Sequence, residues 1–342
     1  MKILFVIPSL TQGGAEKVFI WLANTLSASF NIVFVTLTNQ ANLQSEKLNQ
    51  HISKYEINAI KSIQSSLQLR NIIKKESPHI VISTIVTANF VSTLSIAFLK
   101  NKPFHILRIS NNLKYIKTSS VKNRLMINIS NLFSDKVIVL SDDNFESVQN
   151  DIFLSSNKIK KIENPVIITN RDKQRNISNN ILCISRIEPH KNLDFLINNL
   201  IELSSSQKFS IDIFGEGSQL AKYREVYSQY DFITFKGYIS KEEINYDNYG
   251  IFINCSDFEG SPNSTNEALA EGMLCLVSDN LSKTLPTYLQ HLPYIFEKGN
   301  INDFCNKIKI LFSITENDNL EIEPNEEEVL SLWHEVLEGL PG

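Results

Sequence analysis

The sequence predicts an α/β protein built from two doubly wound domains, and three observations predict it. Short runs rich in Ile, Val, Leu and Phe alternate with longer stretches whose apolar residues return every three or four positions, the pattern of buried parallel strands joined by crossover helices. The alternation breaks in a polar stretch, Ile168–Asn180, and resumes at Ile181. A chain of 342 residues has room for two cores of ordinary size.

Taken in order, Lys2–Ile7 (KILFVI) reads as a buried strand. Val18, Trp21, Leu22 and Leu26 then recur at helical steps behind Gly13 and Gly14. A strand, a glycine loop and a helix place backbone N–H groups where a phosphate could sit. The spacing around Thr11–Ala15 is not that of the dinucleotide fingerprint, and a glycine pair before a helix is a weak signal alone. Ile32–Leu37 is the second strand, Ser66–Glu76 a helix, and His79–Leu99 a strand followed by a helix. The last run is as long as a membrane span but carries seven Ser, Thr and Asn residues. His105–Ser110 is a strand ending at Arg108, Ser110 and Asn111, the edge where open parallel sheets bind ligands. Leu113–Phe133 mixes Lys114, Lys117, Lys122 and Arg124 with apolar residues, which suits a membrane-surface helix and equally an ordinary surface helix. Lys136–Leu140 and Ile159–Asn164 complete the first domain.

In the second domain, the strand Ile181–Ser185 leads to Arg186, Glu188, His190, Lys191 and Asn192, ahead of a helix carrying Leu193, Leu196, Ile197, Leu200 and Ile201. Two cations in a strand-to-helix loop suit a diphosphate, or are solvated loop charges. Strands follow at Phe209–Phe214, Ile233–Lys236 and Ile251–Asn254, with helices at Gln219–Ser228 and Lys241–Asn245. Phe258–Gly272 (FEGSPNSTNEALAEG) places Glu259 in a loop and Glu267 in the first turn of a helix beginning at about Asn266. The two carboxylates can face one ligand, or Glu267 can simply complement the helix dipole while Ser264 or Thr265 caps it. The domain limits are therefore 1–165, a linker 166–180, 181–325, and a C-terminal helix within 326–342.

Composition narrows the function classes. The chain is 42% hydrophobic and 20% charged, as expected of a soluble globular protein. Its four cysteines, Cys183, Cys255, Cys275 and Cys305, lack CxxC spacing, which favours buried thiols over a metal site or disulfide framework. The apolar start is too short for a signal-peptide core. Residues 1–165 hold 19 basic and 10 acidic side chains, a net +9, and the remainder holds 14 and 27, a net −13. A basic first domain favours an anionic membrane surface or phosphorylated acceptor.

The motifs GGAE (Gly13–Glu16), ENP (Glu163–Pro165), SRIEPHKN (Ser185–Asn192), FGEG (Phe214–Gly217) and EGSPNSTNEALAEG (Glu259–Gly272) together resemble the family-four retaining nucleotide-sugar glycosyltransferases, in their E-x7-E, EGxPN form. That resemblance implies the GT-B fold, two Rossmann-like domains facing each other across a cleft, with the C-terminal helix packing back toward the first. It implies catalytic roles for Arg186, Lys191 and Glu259, the cations neutralising the donor's diphosphate and Glu259 holding sugar hydroxyls. Donor binding would also involve Gly13, Gly14, Gly260, Pro262, Asn263 and Ser264, with Glu267 on the ribose. Arg108, Ser110 and Asn111 would contact acceptor or sugar. No cofactor or metal is implied, consistent with the lack of an Asp-x-Asp pair. A UDP-sugar stands ahead of a GDP-sugar. The acceptor would be lipid-linked or polysaccharide, in lipopolysaccharide or capsule synthesis at the cytoplasmic face of the cell membrane, without nucleic acid. Three departures are visible: Ser110 and Asn111 stand where many relatives have a His, Leu274 replaces a Pro, and Asn280–Pro286 replaces a glycine-rich segment. The alternative is a catalytically silent nucleotide-sugar-binding subunit; a nicotinamide oxidoreductase is excluded by the missing glycine fingerprint.

Overall fold

The computed structural model describes residues 1–11, 13–40, 42–113, 116, 120–149, 156–166, 178–240, 243–314 and 324–339. It divides into two compact units, Met1–Pro165 with Glu327–Gly342, and Val166–Glu326. Each has its own parallel sheet.

In the first unit, strands β1 (Lys2–Ile7), β2 (Asn31–Thr38), β3 (Ser53–Ala59), β4 (Ile80–Thr84), β5 (Phe104–Ile109), β6 (Lys136–Val139) and β7 (Ile159–Lys161) lie in the order β3-β2-β1-β4-β5-β6-β7. Helices α1 (Gly14–Leu26), α2 (Ser66–Glu76), α3 (Val86–Ile96), α4 (Val121–Phe133) and α5 (Asp142–Gln149) cover the sheet. The central strands are apolar without alternation because both faces are covered: Ile3, Phe5 and Ile7 pack with α1, and Leu4 and Val6 with α2 and α3. Strand β3 lies at the edge with half its residues exposed, so it has no apolar run and escapes sequence reading. Strand β7 ends at Lys161, because residues 162–165 leave the sheet.

In the second unit, β8 (Asn180–Ile184), β9 (Ser210–Phe214), β10 (Ile233–Gly237), β11 (Ile251–Asn254), β12 (Leu274–Ser278) and β13 (Tyr294–Phe296) lie in the order β10-β9-β8-β11-β12-β13. The helices are α6 (Leu193–Ser204), α7 (Leu220–Val226), α8 (Asn263–Ala270) and α9 (Ile301–Phe312). The last helix, α10 (Glu326–Glu338), puts Val329, Trp333, Val336 and Leu337 into the first unit's core beside Phe19 and Leu26.

Some boundaries differ from the sequence reading. The second unit begins at Val166, whose N–H donates to Asn325 Oδ1 at 2.7 Å, rather than at Ile181. Most of the expected linker, 167–177, lies outside the described residues. Of the helix expected at Lys241–Asn245, residues 241–242 lie outside the described residues, Glu243 closes a 3-10 turn with its N–H donating to the Ser240 carbonyl at 3.1 Å, and a second 3-10 turn follows at Tyr246–Asn248. Helix α8 starts at Asn263 rather than about Asn266, because Pro262 caps it and its carbonyl accepts from Asn266 N–H. Glu267 consequently lies in the second turn.

Candidate functional site

The order of the second sheet reverses between β8 and β11. Chains leaving the carboxyl ends of two such strands diverge and open a crevice. The loops there are Ser185–Asn192 after β8 and Cys255–Pro262 after β11, so the topology delivers both signature segments to one place.

Their strongest link is the ion pair Lys191 Nζ to Glu259 Oε1 at 2.5 Å, with side chains only 10% and 16% exposed. Ser256 Oγ lies 2.9 Å from the same carboxylate oxygen and 2.7 Å from Asn254 Oδ1, and Asn254 Nδ2 donates to Thr265 Oγ1 at 3.0 Å. This chain ties the lysine to the end of β11 and the first turn of α8. A buried ion pair is costly unless its remaining hydrogen bonds are satisfied, and Ser256 contributes one here. The two predicted cations are not equivalent, since Arg186 is exposed while Lys191 is buried.

Three braces fix the loops. Asp257 N–H donates to the His190 carbonyl at 2.8 Å, and the His190 ring stacks on Phe258 with centroids 4.8 Å apart. Burial, then the charges of Lys191 and Arg186, hold the His190 imidazole below its usual range. Glu188 accepts from Ser218 N–H at 3.0 Å and from Ser218 Oγ at 2.7 Å, bonds that lower its carboxyl's pKa. Asn280 Nδ2 donates to the carbonyls of Ser256 and Asp257 at 3.2 and 2.7 Å. Asn280 belongs to the segment that departs from the family pattern, and it buttresses the site loop.

FGEG also has a packing role. A Cβ on Gly215, at φ +137°, would stand 1.9 Å from Ser185 O, and one on Gly217 would stand 2.4 Å from Ile187 O. The β9–α7 loop therefore lies directly against the Arg186 loop, leaving no room for a side chain.

Gly260 and Pro262 are buried, and Asn263, Ser264 and Glu267 are half-buried around the start of α8. That helix has no side-chain cap; the N–H groups of Asn263, Thr265 and Asn266 donate to the carbonyls of Ser261 and Pro262, so the Ser264 N–H and the helix dipole are what its first turn offers an anion. Burial pushes the thiols of Cys183, to about 12, and Cys255 upward, so neither is a thiolate nucleophile at neutral pH. Sequence reading gave no site role to Asn254, Ser256, Glu188 or Asn280, and took Thr265 only as a cap. The available signal was polar residues directly after an apolar strand, as in IFINCS.

In the first unit, Gly13 precedes α1 and Gly14 begins it. A Cβ on Gly13 would meet Glu16 Oε2 at 2.2 Å, because Glu16 folds back and accepts from Thr11 Oγ1 at 2.9 Å. Arg108 is 2% exposed. Its guanidinium donates to Asn164 Oδ1 at 2.6 Å and Thr84 Oγ1 at 3.2 Å, tying β5 to β4 and to the ENP segment. Burial lowers its pKa to about 10, partly offset by Glu16, so it remains a cation at neutral pH. Arg108, Ser110 and Asn111 line one pocket with Ile85, Asn89 and Asn131.

Among the described residues no cluster of three His, Cys, Asp or Glu side chains is placed to hold a metal, and no helix is long and apolar enough to cross a membrane.

Residues 178–313 match the family model described as Glycosyl transferases group 1. The chain is 26% identical over 148 residues to the O-antigen biosynthesis glycosyltransferase WbnH of Escherichia coli, a match spanning 43% of each protein. It is 25% identical over 285 residues to a Campylobacter jejuni protein, the GalNAc-alpha-(1->4)-GalNAc-alpha-(1->3)-diNAcBac-PP-undecaprenol alpha-1,4-N-acetyl-D-galactosaminyltransferase, covering 79% of this chain and 77% of that one. The Anabaena protein HepE, in its crystal structure with UDP and glucose, superimposes with a TM-score of 0.80 at 16% identity, over 99% of this chain and 100% of that one. The chain thus has the GT-B fold, and residues 178–313 of its second unit are similar to the Glycosyl transferases group 1 model.

Proposed function

We propose that this protein is a retaining glycosyltransferase moving a hexose or N-acetylhexosamine from a nucleotide-sugar, a UDP-sugar ahead of a GDP-sugar, to a lipid-linked or polysaccharide acceptor in surface-glycan synthesis. The observation that carries the reading is the buried Lys191–Glu259 pair at the point where the second sheet reverses. Its relatives support it: WbnH is named for O-antigen biosynthesis, the Campylobacter protein for an undecaprenol-linked glycan, and HepE was crystallised with UDP and glucose.

The residues divide the work as follows. Lys191 has three N–H donors and uses one on Glu259, leaving two for a diphosphate oxygen, with Arg186 adding a second positive charge. Glu259 accepts hydroxyls of the transferred sugar, and Glu267 accepts the ribose hydroxyls. At the start of α8, behind Gly260, Pro262 and Asn263, the Ser264 N–H and the helix dipole face anionic oxygen. The bond from the anomeric carbon to the diphosphate breaks as the bond to the acceptor oxygen forms on the same face, and the acceptor's proton passes to the departing diphosphate. Fixed positive charge at the leaving group is then the main catalytic contribution, and no metal enters. Gly13, Gly14, Arg108, Ser110 and Asn111 are assigned to the first unit's substrate contacts.

A donor-hydrolysis screen over UDP-, GDP- and ADP-sugars tests this reading. Turnover of a UDP-sugar is expected, falling in Lys191→Ala by about two orders of magnitude, or ~3 kcal/mol. Binding without turnover of any donor, with or without acceptor glycans, would instead make the chain a nucleotide-sugar-binding subunit.

We also propose that the first unit docks on the inner face of the cell membrane. The outward surface of α4 carries Val121, Leu125 and Phe133, each more than half exposed, with exposed Lys122 and Arg124 between them. Helix α3 packs on α4 and is followed by Phe98, 91% exposed, and α2 beyond it adds Leu67, Lys74 and Lys75. An apolar face rimmed by lysines suits an anionic bilayer. Lys114, Tyr115 and Lys117 lie outside the described residues. Phosphatidylglycerol vesicles should sediment the protein at low salt and release it at high salt; no sedimentation at low salt would refute the docking.

A further inference from the structure

The pocket lined by Arg108, Ser110 and Asn111 contains features that the contacts above do not use. It opens beyond the carboxyl ends of β4 and β5, between the first turn of α3 and the second half of α4. Two amides on its wall are unsatisfied. Asn89 is 6% exposed, and its Nδ2 donates to the Arg108 carbonyl at 3.3 Å, which fixes the amide's orientation and leaves Oδ1 buried without a partner. Asn131 is 3% exposed, and its Nδ2 is likewise buried without a partner. Buried polar atoms are nearly always paired, so each calls for a bound water or ligand.

The backbone adds an independent observation. Ile85, which joins β4 to α3 and lines the pocket, has φ +70° and ψ 137°. A β-branched residue at positive φ is a genuine outlier, and such strain collects at ligand sites.

We propose that this pocket receives the N-acetyl group of an acetamido sugar, an assignment that rests on the transferase reading. Asn89 Oδ1 requires a donor, which the acetamido N–H supplies. Asn131 Nδ2 requires an acceptor, which the acetamido carbonyl supplies. The methyl group is left for the apolar lining of Ile85, Val86, Leu113 and Ile127. Arg108 lends the pocket little anion affinity, since two of its N–H groups are held by Thr84 and Asn164 and Glu16 opposes its charge. The sugar can belong to the acceptor or to the donor, and the chemistry recognised is the same.

The test uses the full chain in two calorimetric arms. One titrates methyl glycosides of N-acetylglucosamine, N-acetylgalactosamine, glucose and galactose with UDP present. The other titrates the corresponding four UDP-sugars. The expected result is a preference of about tenfold or more for the N-acetylated form in one arm, because a site built to hydrogen-bond a group discriminates against its absence. The glycoside arm would assign the pocket to the acceptor and the UDP-sugar arm to the donor. Asn89→Leu and Asn131→Leu should each reduce the preference to less than about threefold while the affinity for UDP alone stays unchanged. Asn131→Ser serves where a leucine variant fails to fold. Absence of an N-acetyl preference in both arms, or a preference that survives these substitutions, overturns the proposal. Failure of UDP itself to bind would overturn the transferase reading, and the glycoside arm run without UDP would still decide the pocket.

Discussion

Lys191 and Glu259 show how far individual residues can be read before the fold is known. Their types and spacing, with those of Arg186, left ligand contacts and ordinary loop charges both open, and only the family resemblance gave them roles at a site. Their direct pairing, and the line through Ser256 and Asn254 to Thr265, could not be read from sequence, since it depends on two loops 68 positions apart meeting at one sheet edge. Arg108 was legible as a strand-end cation but not as the cross-link to Asn164. His105 carried no signal at all. It is 1% exposed with Nε2 3.2 Å from Ser83 Oγ, and burial depresses its pKa from 6.5 to about 3. The folded ring stays neutral while the unfolded chain takes up a proton near 6.5, so between these values the unfolded state binds more protons. Stability is therefore complete above 6.5 and falls as the pH drops from there toward 3. Urea titrations at pH 7.5 and 5 should show His105→Gln losing less stability between the two than the parent, by up to ~2 kcal/mol; equal losses would place a charged imidazole in the core.

Among the elements, long apolar strands and amphipathic helices were legible because burial on both faces or on one leaves a periodic trace. Edge strand β3 and the three-residue β13 were not, being half exposed or too short to show a period, and helices α5 and α9 also went unread. The start of α8 was set too late because Pro262 punctuates the helix more firmly than Ser264 or Thr265. Loop contacts were hidden as well: FGEG looked like strand-end punctuation, whereas its glycines let two loops touch. Gly215→Ala and Gly272→Ala separate these effects, because both positions have positive φ but only Gly215 faces backbone, at 1.9 Å from Ser185 O. Each should lose roughly 1–2 kcal/mol from the left-handed backbone. Gly215→Ala should lose further stability and, by shifting the Arg186 loop, at least about threefold in UDP affinity; Gly272→Ala should keep wild-type affinity. Equal UDP affinities would detach the glycine loop from the site.

At the level of the molecule, the two-domain α/β class followed from the broken and resumed alternation, and each unit does carry its own parallel sheet and core. The charge asymmetry has a structural counterpart in the basic, apolar-studded helices of the first unit, while in the acidic second unit Arg186 and Lys191 share the loop after β8. The donor chemistry is thus assigned to a loop pair within one unit, and the most direct check is calorimetric titration of UDP into the full chain and into Lys191→Ala. The account predicts saturable binding of one UDP per chain that weakens at least about tenfold, ~1.4 kcal/mol, without Lys191. No heat of binding to the parent chain, or equal affinity in the variant, would contradict it.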